Sequence, residues 1–341
     1  MVPVRDGAPF LTRSLPALAA ALPREAELIV CDDGSGDGSG LVAASFGARV
    51  LRVGERPAGP AAARNRGALA AQGEILVFLD ADVRVRADTL DQLTGAFADP
   101  YVAAAFGSYD DAPPGSSWVS RYKNLAHHFV HQRSREEAST FWAGCGAVRR
   151  GVFLAVGGFD ERYRRPSIED VELGYRLREA GHRIRLVRSA QVSHLKEWTP
   201  RSWLVSDLRD RAIPWARLVR AGRGLPRDLN FETRDRLATL VVGAAAAVLA
   251  LSVLEARLAV LAPFLLAGAA AVDLPFLRFA SRRSSVGFAA AAAVLHLVHR
   301  AAAVAGFLVG YWTPGPEARP QRAAQEGPDS GAPTRSEVTG C

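Results

Sequence analysis

Lysine is almost missing from this sequence: of 42 basic residues only Lys123 and Lys196 are lysines, and the rest are arginines. Cysteine is scarce as well. Cys31, Cys145 and Cys341 are too few and too scattered for a disulfide framework or a cysteine metal site, so a reducing compartment is the simplest reading. The opening segment Met1–Leu11 lacks the apolar core of a secretory signal, and a soluble secreted protein is not expected. Disorder over most of the length is excluded by 49% hydrophobic and 23% charged residues. The chain has 341 residues, enough for about two folded units. Its net charge of +7, carried mostly by arginine forks, suits anionic lipid, a phosphorylated substrate or nucleic acid. Nucleic acid is the weakest of the three, because the arginines gather beside apolar stretches and not on a groove-reading motif.

Composition changes near residue 236. Beyond it lie three apolar stretches: Ala238–Leu254 without a charge, Leu258–Leu277 with the single acid Asp273, and Val286–Trp312 with His296, His299 and Arg300 in its middle. The first two read as an antiparallel membrane pair joined at Glu255–Arg257, or alternatively as a buried helical hairpin of a soluble domain. Arg223, Arg227, Arg234 and Arg236 precede the pair and Arg278, Arg282 and Arg283 follow it, which places the N-terminal part on the cytoplasmic side. The third stretch reads as a span whose polar residues face other helices. The expected organisation is a catalytic unit over 1–200, an amphipathic interfacial linker over 201–236, two to three membrane helices over 237–312 and a disordered tail over 313–341.

Over the first 235 residues, short apolar runs (Val2–Val4, Leu28–Cys31, Val50–Val53, Ile75–Leu79) alternate with segments of helical spacing, such as Pro9–Leu22 and Gly59–Gln72. This predicts an α/β unit with a mostly parallel sheet flanked by helices, whose ligands bind beyond the carboxyl ends of the strands. Acids stand there. Asp32-Asp33 opens a glycine turn that fits neither a Walker loop nor a calcium loop, because position 12 of the latter falls on Ala44; an ordinary acidic turn explains it equally well. Asp80-Ala81-Asp82 follows the run Ile75–Leu79, and two such carboxylates suit Mg²⁺ or Mn²⁺ with open positions for substrate phosphates, although a solvated turn has the same text. Arg64 and Arg66 lie on a helix, where a guanidinium can fork onto a diphosphate or simply face solvent. Glu169 and Asp170 begin a helix that stops at Gly181. They are either dipole-favoured acids or a general base, kept ionised by the helix start. His194 follows Ile184–Val192 and is by itself more often structural than a ligand.

In order, the segments MVPVRDG, IVCDDGSGDGS, GPAAARNRGALAAQGEILVFLDADV, WAGCGAVRRGVFLAVGGFDER and SIEDVELGYRLREAGHRI resemble a family 2 glycosyltransferase with the GT-A fold, of the membrane-anchored bacterial type, over about residues 1–200. The resemblance implies roles residue by residue. Pro3, Val4, Asp32 and Asp33 would hold the nucleotide base and ribose, Arg64 the nucleotide, and Asp80 and Asp82 the metal and donor. Gly144 would line the sugar or acceptor pocket. Asp170 would be the catalytic base with Glu169 supporting it, and His194 would touch the metal or diphosphate. It also implies a UDP- or GDP-sugar donor, Mg²⁺ or Mn²⁺, a lipid-linked or envelope acceptor, contact with membrane lipids and no nucleic-acid partner. The Q-x-x-R-W text of processive members is missing; the nearest words are Asp207-Leu208-Arg209-Asp210-Arg211 and Ile213-Pro214-Trp215, which favours transfer of one or a few sugars. A nucleotidyltransferase and a non-catalytic membrane scaffold are the rival readings.

Overall fold

The computed structural model describes residues 1–54, 56–225, 229, 232–313 and 315. Arg227, Cys341 and nearly all of the expected disordered tail lie outside them. The N-terminal part runs β1 (Val2–Val4), α1 (Ala8–Ala21), β2 (Ile29–Asp32), α2 (Ser39–Ser45), β3 (Arg49–Arg52), α3 (Pro60–Ala70), β4 (Ile75–Leu79), β5 (Val83–Val85) and α4 (Thr89–Gly95). It continues with β6 (Val102–Tyr109), α5 (Trp118–Arg133), β7 (Glu137–Ala138), β8 (Cys145–Arg149), α6 (Arg150–Ala155), α7 (Glu169–Glu179) and β9 (Arg183–His194). Then come α8 (Pro200–Val205), a π-helical segment Ser206–Ala212, α9 (Ile213–Arg220), α10 (Thr233–Leu251), α11 (Leu261–Val272), α12 (Leu274–Arg283) and α13 (Val286–Trp312).

The apolar runs become strands, largely buried in β1, β2 and β4 and partly exposed in β3 at the edge. β1, β2 and β3 are parallel neighbours, with Val2 opposite Val30 and Ile29 opposite Arg49. The Met1 ammonium donates to the Val77 carbonyl at 2.7 Å and Leu79 N–H donates to the Met1 carbonyl at 3.0 Å, the bonding of a parallel neighbour, so β4 lies beside β1. From β4 the order continues β8, β6, β9, β5. One apolar cluster joins Ala61, Phe153 and Leu173 below the sheet; another joins Leu11, Leu15 and Leu93 above it.

This half is mixed, within the mostly parallel sheet that the strand-and-helix alternation predicts. β8 is antiparallel to β4 and β6, β5 and β7 are antiparallel to β9, and β6 and β9 are parallel. The reason is where β8 begins. Cys145 pairs with Leu79, so the loop before it delivers Trp142 to Gly144 to the rim where β4 ends, and the strand then runs away from that rim. The carboxyl ends of β2, β4, β6 and β9 consequently share one edge with the start of β8, and that edge carries Asp33, Asp80, Asp82, Asp110 and His194.

The C-terminal helices dock onto this unit through a core of their own. Tyr122 and Leu125 of α5 and Trp203 of α8 pack with Phe276 and Ala280 of α12 and Phe288 and Ala292 of α13. Gly306 and Gly310 let α13 approach closely, since a Cβ on Gly310 would lie 2.4 Å from the Ile213 carbonyl oxygen. Among the described residues α13 is the one helix long and apolar enough to cross a membrane; the second expected stretch is bent by 64° between α11 and α12. Pro275 removes an N–H at that bend, and Arg300 holds Asp273 there at 2.6 Å. The polar residues of α13 face protein: His296 meets the Tyr122 hydroxyl at 3.1 Å, His299 meets Asp207 at 2.7 Å, and Arg300 also donates to the Asp235 carbonyl at 2.8 Å.

Candidate active site

Arg64 is the hub of the site. It lies buried on α3, and its two terminal nitrogens diverge, one donating to Glu169 Oε1 at 2.8 Å and the other to Asp80 Oδ1 at 2.6 Å. The Phe159 ring lies 5.4 Å from its guanidinium carbon. One buried arginine thus joins the end of β4 to the start of α7, which are distant in the chain. Burial alone would depress its proton affinity; Asp80 and Glu169 outweigh that and keep it firmly charged.

Asp80 and Asp82 are held differently. Burial drives the Asp80 carboxyl above its ordinary value and Asp82 adds to the rise, against the pull of Arg64. Burial pushes Asp82 up too, but the His194 imidazole and the Lys196 ammonium outweigh it and hold that carboxyl low. His194 Nε2 lies 3.5 Å from Asp82 Oδ2, placed by the pairing of Val83 with His194 and by stacking on Tyr109 at 4.7 Å. Asp80 Oδ2 has no partner among the described residues.

Glu169 is fully engaged, with Oε2 accepting the Ser167 N–H at 2.8 Å. Asp170 beside it accepts the Ala143 N–H at 3.1 Å and the Val171 N–H at 2.8 Å. The expected lowering by the helix start does not prevail. Burial, then the Glu169 charge, pushes the Asp170 carboxyl up to about 6, against the Ala143 N–H, Arg64 and Arg211.

The remaining predicted residues form a neighbouring group at the ends of β1 and β2. Val4 accepts the Asp33 N–H at 2.9 Å and Pro3 pairs with Cys31. Asp32 accepts the Ser35 N–H at 2.8 Å and so shapes the glycine turn. Asp33 is buried and spends both oxygens on the N–H groups of Ala58 and Gly59, each at 2.8 Å. That loop needs glycine: Gly59 has φ +101° and a Cβ there would lie 2.6 Å from the Arg164 carbonyl oxygen. Gly59→Ala should therefore cost about 1–3 kcal/mol of stability, and an unchanged thermal midpoint would contradict this. The same loop borders a cleft of about 740 Å³ lined by Pro57, Ala58, Ala62, Asp160, Glu161, Arg162 and Arg164. Gly144 faces the Trp142 indole, which a Cβ would meet at 2.6 Å.

Five residues at this rim carry no signal of their own in the text. Tyr109 and His127 pack around Trp142 at 4.9 and 4.6 Å. Lys123, Lys196 and Arg211 supply cations; the text offers Arg211 as part of the amphipathic interfacial linker and of the words nearest the missing Q-x-x-R-W. Among the described residues no three His, Cys, Asp or Glu side chains form a ready metal cage. Asp82 and the free oxygen of Asp80, with His194 beside Asp82, supply the one or two carboxylates that Mg²⁺ or Mn²⁺ uses before substrate phosphates complete its shell.

Residues 1–157 match the family described as Glycosyl transferase family 2. The chain is also 31% identical over 225 residues to the N-acetylglucosaminyl-diphospho-decaprenol L-rhamnosyltransferase of Mycobacterium tuberculosis, covering 72% of that protein and 55% of this chain. The chain belongs to glycosyl transferase family 2. Another family relative, the pre-mycofactocin glycosyltransferase of M. tuberculosis, is 35% identical over 214 residues, or 60% of this chain; the match spans only 44% of that longer protein. Among solved structures, the mannosyltransferase PcManGT from Pyrobaculum calidifontis, in complex with GDP-Man and Mn²⁺, superposes with a TM-score of 0.60 at 20% identity, covering 91% of this chain and 86% of that one. TarS 1-349 of S. aureus in complex with UDP-GlcNAc gives 0.52 at 15% identity, covering 92% of each. These two show the shared GT-A fold.

Proposed function

We propose that the protein is a metal-dependent inverting glycosyltransferase that moves a sugar from a UDP- or GDP-sugar to a hydroxyl of a lipid-linked or cell-envelope acceptor. The observation that carries this reading is the continuous chain Asp82, Asp80, Arg64, Glu169, Asp170 along one rim, built from β4, α3 and α7. Asp170 takes the proton of the acceptor hydroxyl as its oxygen bonds to the anomeric carbon. The bond from that carbon to the diphosphate oxygen breaks on the opposite face, and its electron pair leaves with the nucleoside diphosphate. Glu169 and Asp80 fix Arg64, which favours charge growing nearby. Asp80, Asp82 and His194 would hold Mg²⁺ or Mn²⁺, which when bound neutralises charge on the leaving diphosphate. Pro3, Val4, Asp32 and Asp33 shape the nucleotide end.

The unit of residues 1–200 works at the cytoplasmic face of a membrane, with 201–236 as interfacial linker and 237–312 as the membrane region. The apolar exposed side chains of α10, α11 and α13, such as Leu240, Leu249, Phe264 and Leu308, support contact with lipid. The test is a screen of nucleotide sugars with the membrane-embedded chain and Mn²⁺. Release of nucleoside diphosphate is expected; pyrophosphate would indicate nucleotidyl transfer, and binding of no donor would indicate a scaffold. Asp82→Ala should weaken Mn²⁺-dependent donor binding about 10–100-fold by titration, the range of a lost charge-assisted contact. Unchanged affinity would remove Asp82 from the site.

A further inference from the structure

The two lysines of this arginine-rich chain lie on one indole ring. Lys196 Nζ is 4.2 Å and Lys123 Nζ 5.2 Å from the centroid of Trp198. The Trp198 ring is in turn 6.4 Å from His194, the residue beside Asp82. The two cations differ in their partners. Lys123 is spent on the buried Asp207 at 2.6 Å, whereas Lys196 has no carboxylate within 4 Å among the described residues.

A further unpaired cation arrives from the π-helical segment. There Arg209 closes onto Asp210 at 2.7 Å, and the Asp210 carbonyl accepts the Ser167 hydroxyl at 2.7 Å, which ties the segment to the start of α7. The next residue, Arg211, is exposed, carries no ion pair among the described residues, and acts electrostatically on Asp170, Tyr109 and Lys123. Lys196 feels Asp82 and Arg211 feels Asp170 only at longer range, so both keep donors free for an incoming anion.

Position says whose anion. In the sheet, β9 stands three strands beyond β4, away from β1 and β2. On its other side Trp198 packs with Trp203, Phe276 and Phe288, the core shared with α12 and α13. The cations therefore lie between the catalytic acids and the apolar helices, where the head of a lipid-borne molecule would sit. We propose that Lys196 and Arg211 form an acceptor site that takes the phosphate or diphosphate of a lipid-linked acceptor. This rests on the glycosyl-transfer reading and narrows its acceptor to a phosphorylated lipid. An ammonium suits a phosphate as a point charge and a guanidinium as a fork.

The test uses the full chain in detergent micelles, with farnesyl diphosphate, farnesol and UDP or GDP with Mn²⁺ as probes in calorimetric titrations. The wild type should bind farnesyl diphosphate well above farnesol. Lys196→Gln and Arg211→Gln should each weaken farnesyl diphosphate about tenfold, Lys196→Arg should retain binding, and farnesol and nucleotide affinities should hold. Farnesyl diphosphate bound no better than farnesol would overturn the proposal. So would a loss that falls equally on the nucleotides, which would hand these cations to the donor. Failure of the underlying reading looks different: a wild-type chain that binds farnesyl diphosphate yet turns over no nucleotide sugar.

Discussion

Asp170→Asn is expected to lower kcat by about 10²–10⁴-fold, the range for loss of a positioned general base, with donor affinity nearly unchanged. The amide keeps the size of the carboxyl and one acceptor oxygen for the Val171 N–H, now at 2.8 Å. It cannot accept a proton from the acceptor. In the proposed mechanism donor binding rests on other groups, chiefly Arg64, Asp80 and Asp82. Wild-type turnover in this variant would remove Asp170 from the mechanism. As the proposed base, the same carboxyl should set the pH response of the parent. With its proton affinity raised to about 6, Asp170 is ionised above that pH and protonated below it. kcat/KM should therefore be flat at neutral pH and fall about tenfold per unit below about 6. A profile that stays flat down to pH 4.5, well under that value, would assign the base elsewhere.

The acids were legible in the text because strand ends are legible. Apolar runs such as Ile75–Leu79 end abruptly at a carboxylate, and parallel strands put such ends on one edge. What joins the acids was less visible. Nothing in the spacing of Arg64 and Glu169 announces that one buried guanidinium spans β4 and α7, since that is a product of helix packing on the sheet. Strand direction was hidden for a similar reason: Cys145–Arg149 is as apolar as a parallel strand, and only the rim position of its first residue makes it antiparallel. The proton affinity of Asp170 was misjudged because helix position is local and burial is not. The bend at Asp273 had a visible cause in Pro275, yet its stabilising partner Arg300 comes from a different helix.

Arg64→Leu is expected to cost about 3–5 kcal/mol of stability, the range for breaking a buried ion pair by removing one partner. The leucine fills much of the space but leaves Asp80 and the buried Glu169 facing each other without the cation that now sits 2.6 and 2.8 Å from them. The pH dependence separates this cause from simple packing loss. Asp80 already stands above its ordinary value, and without Arg64 it would rise further. Between its ordinary value, about 4, and the raised one, the folded state would hold a proton that the unfolded state releases. Bound protons in excess in the folded state make unfolding harder as pH falls. The deficit against the parent should therefore shrink as the pH is lowered from about 7.5 to about 5.5. A thermal-midpoint deficit that stays constant over that interval would mean that lost packing, not uncompensated charge, destabilises the variant, and Arg64 would lose its place as the hub that aligns β4 with α7.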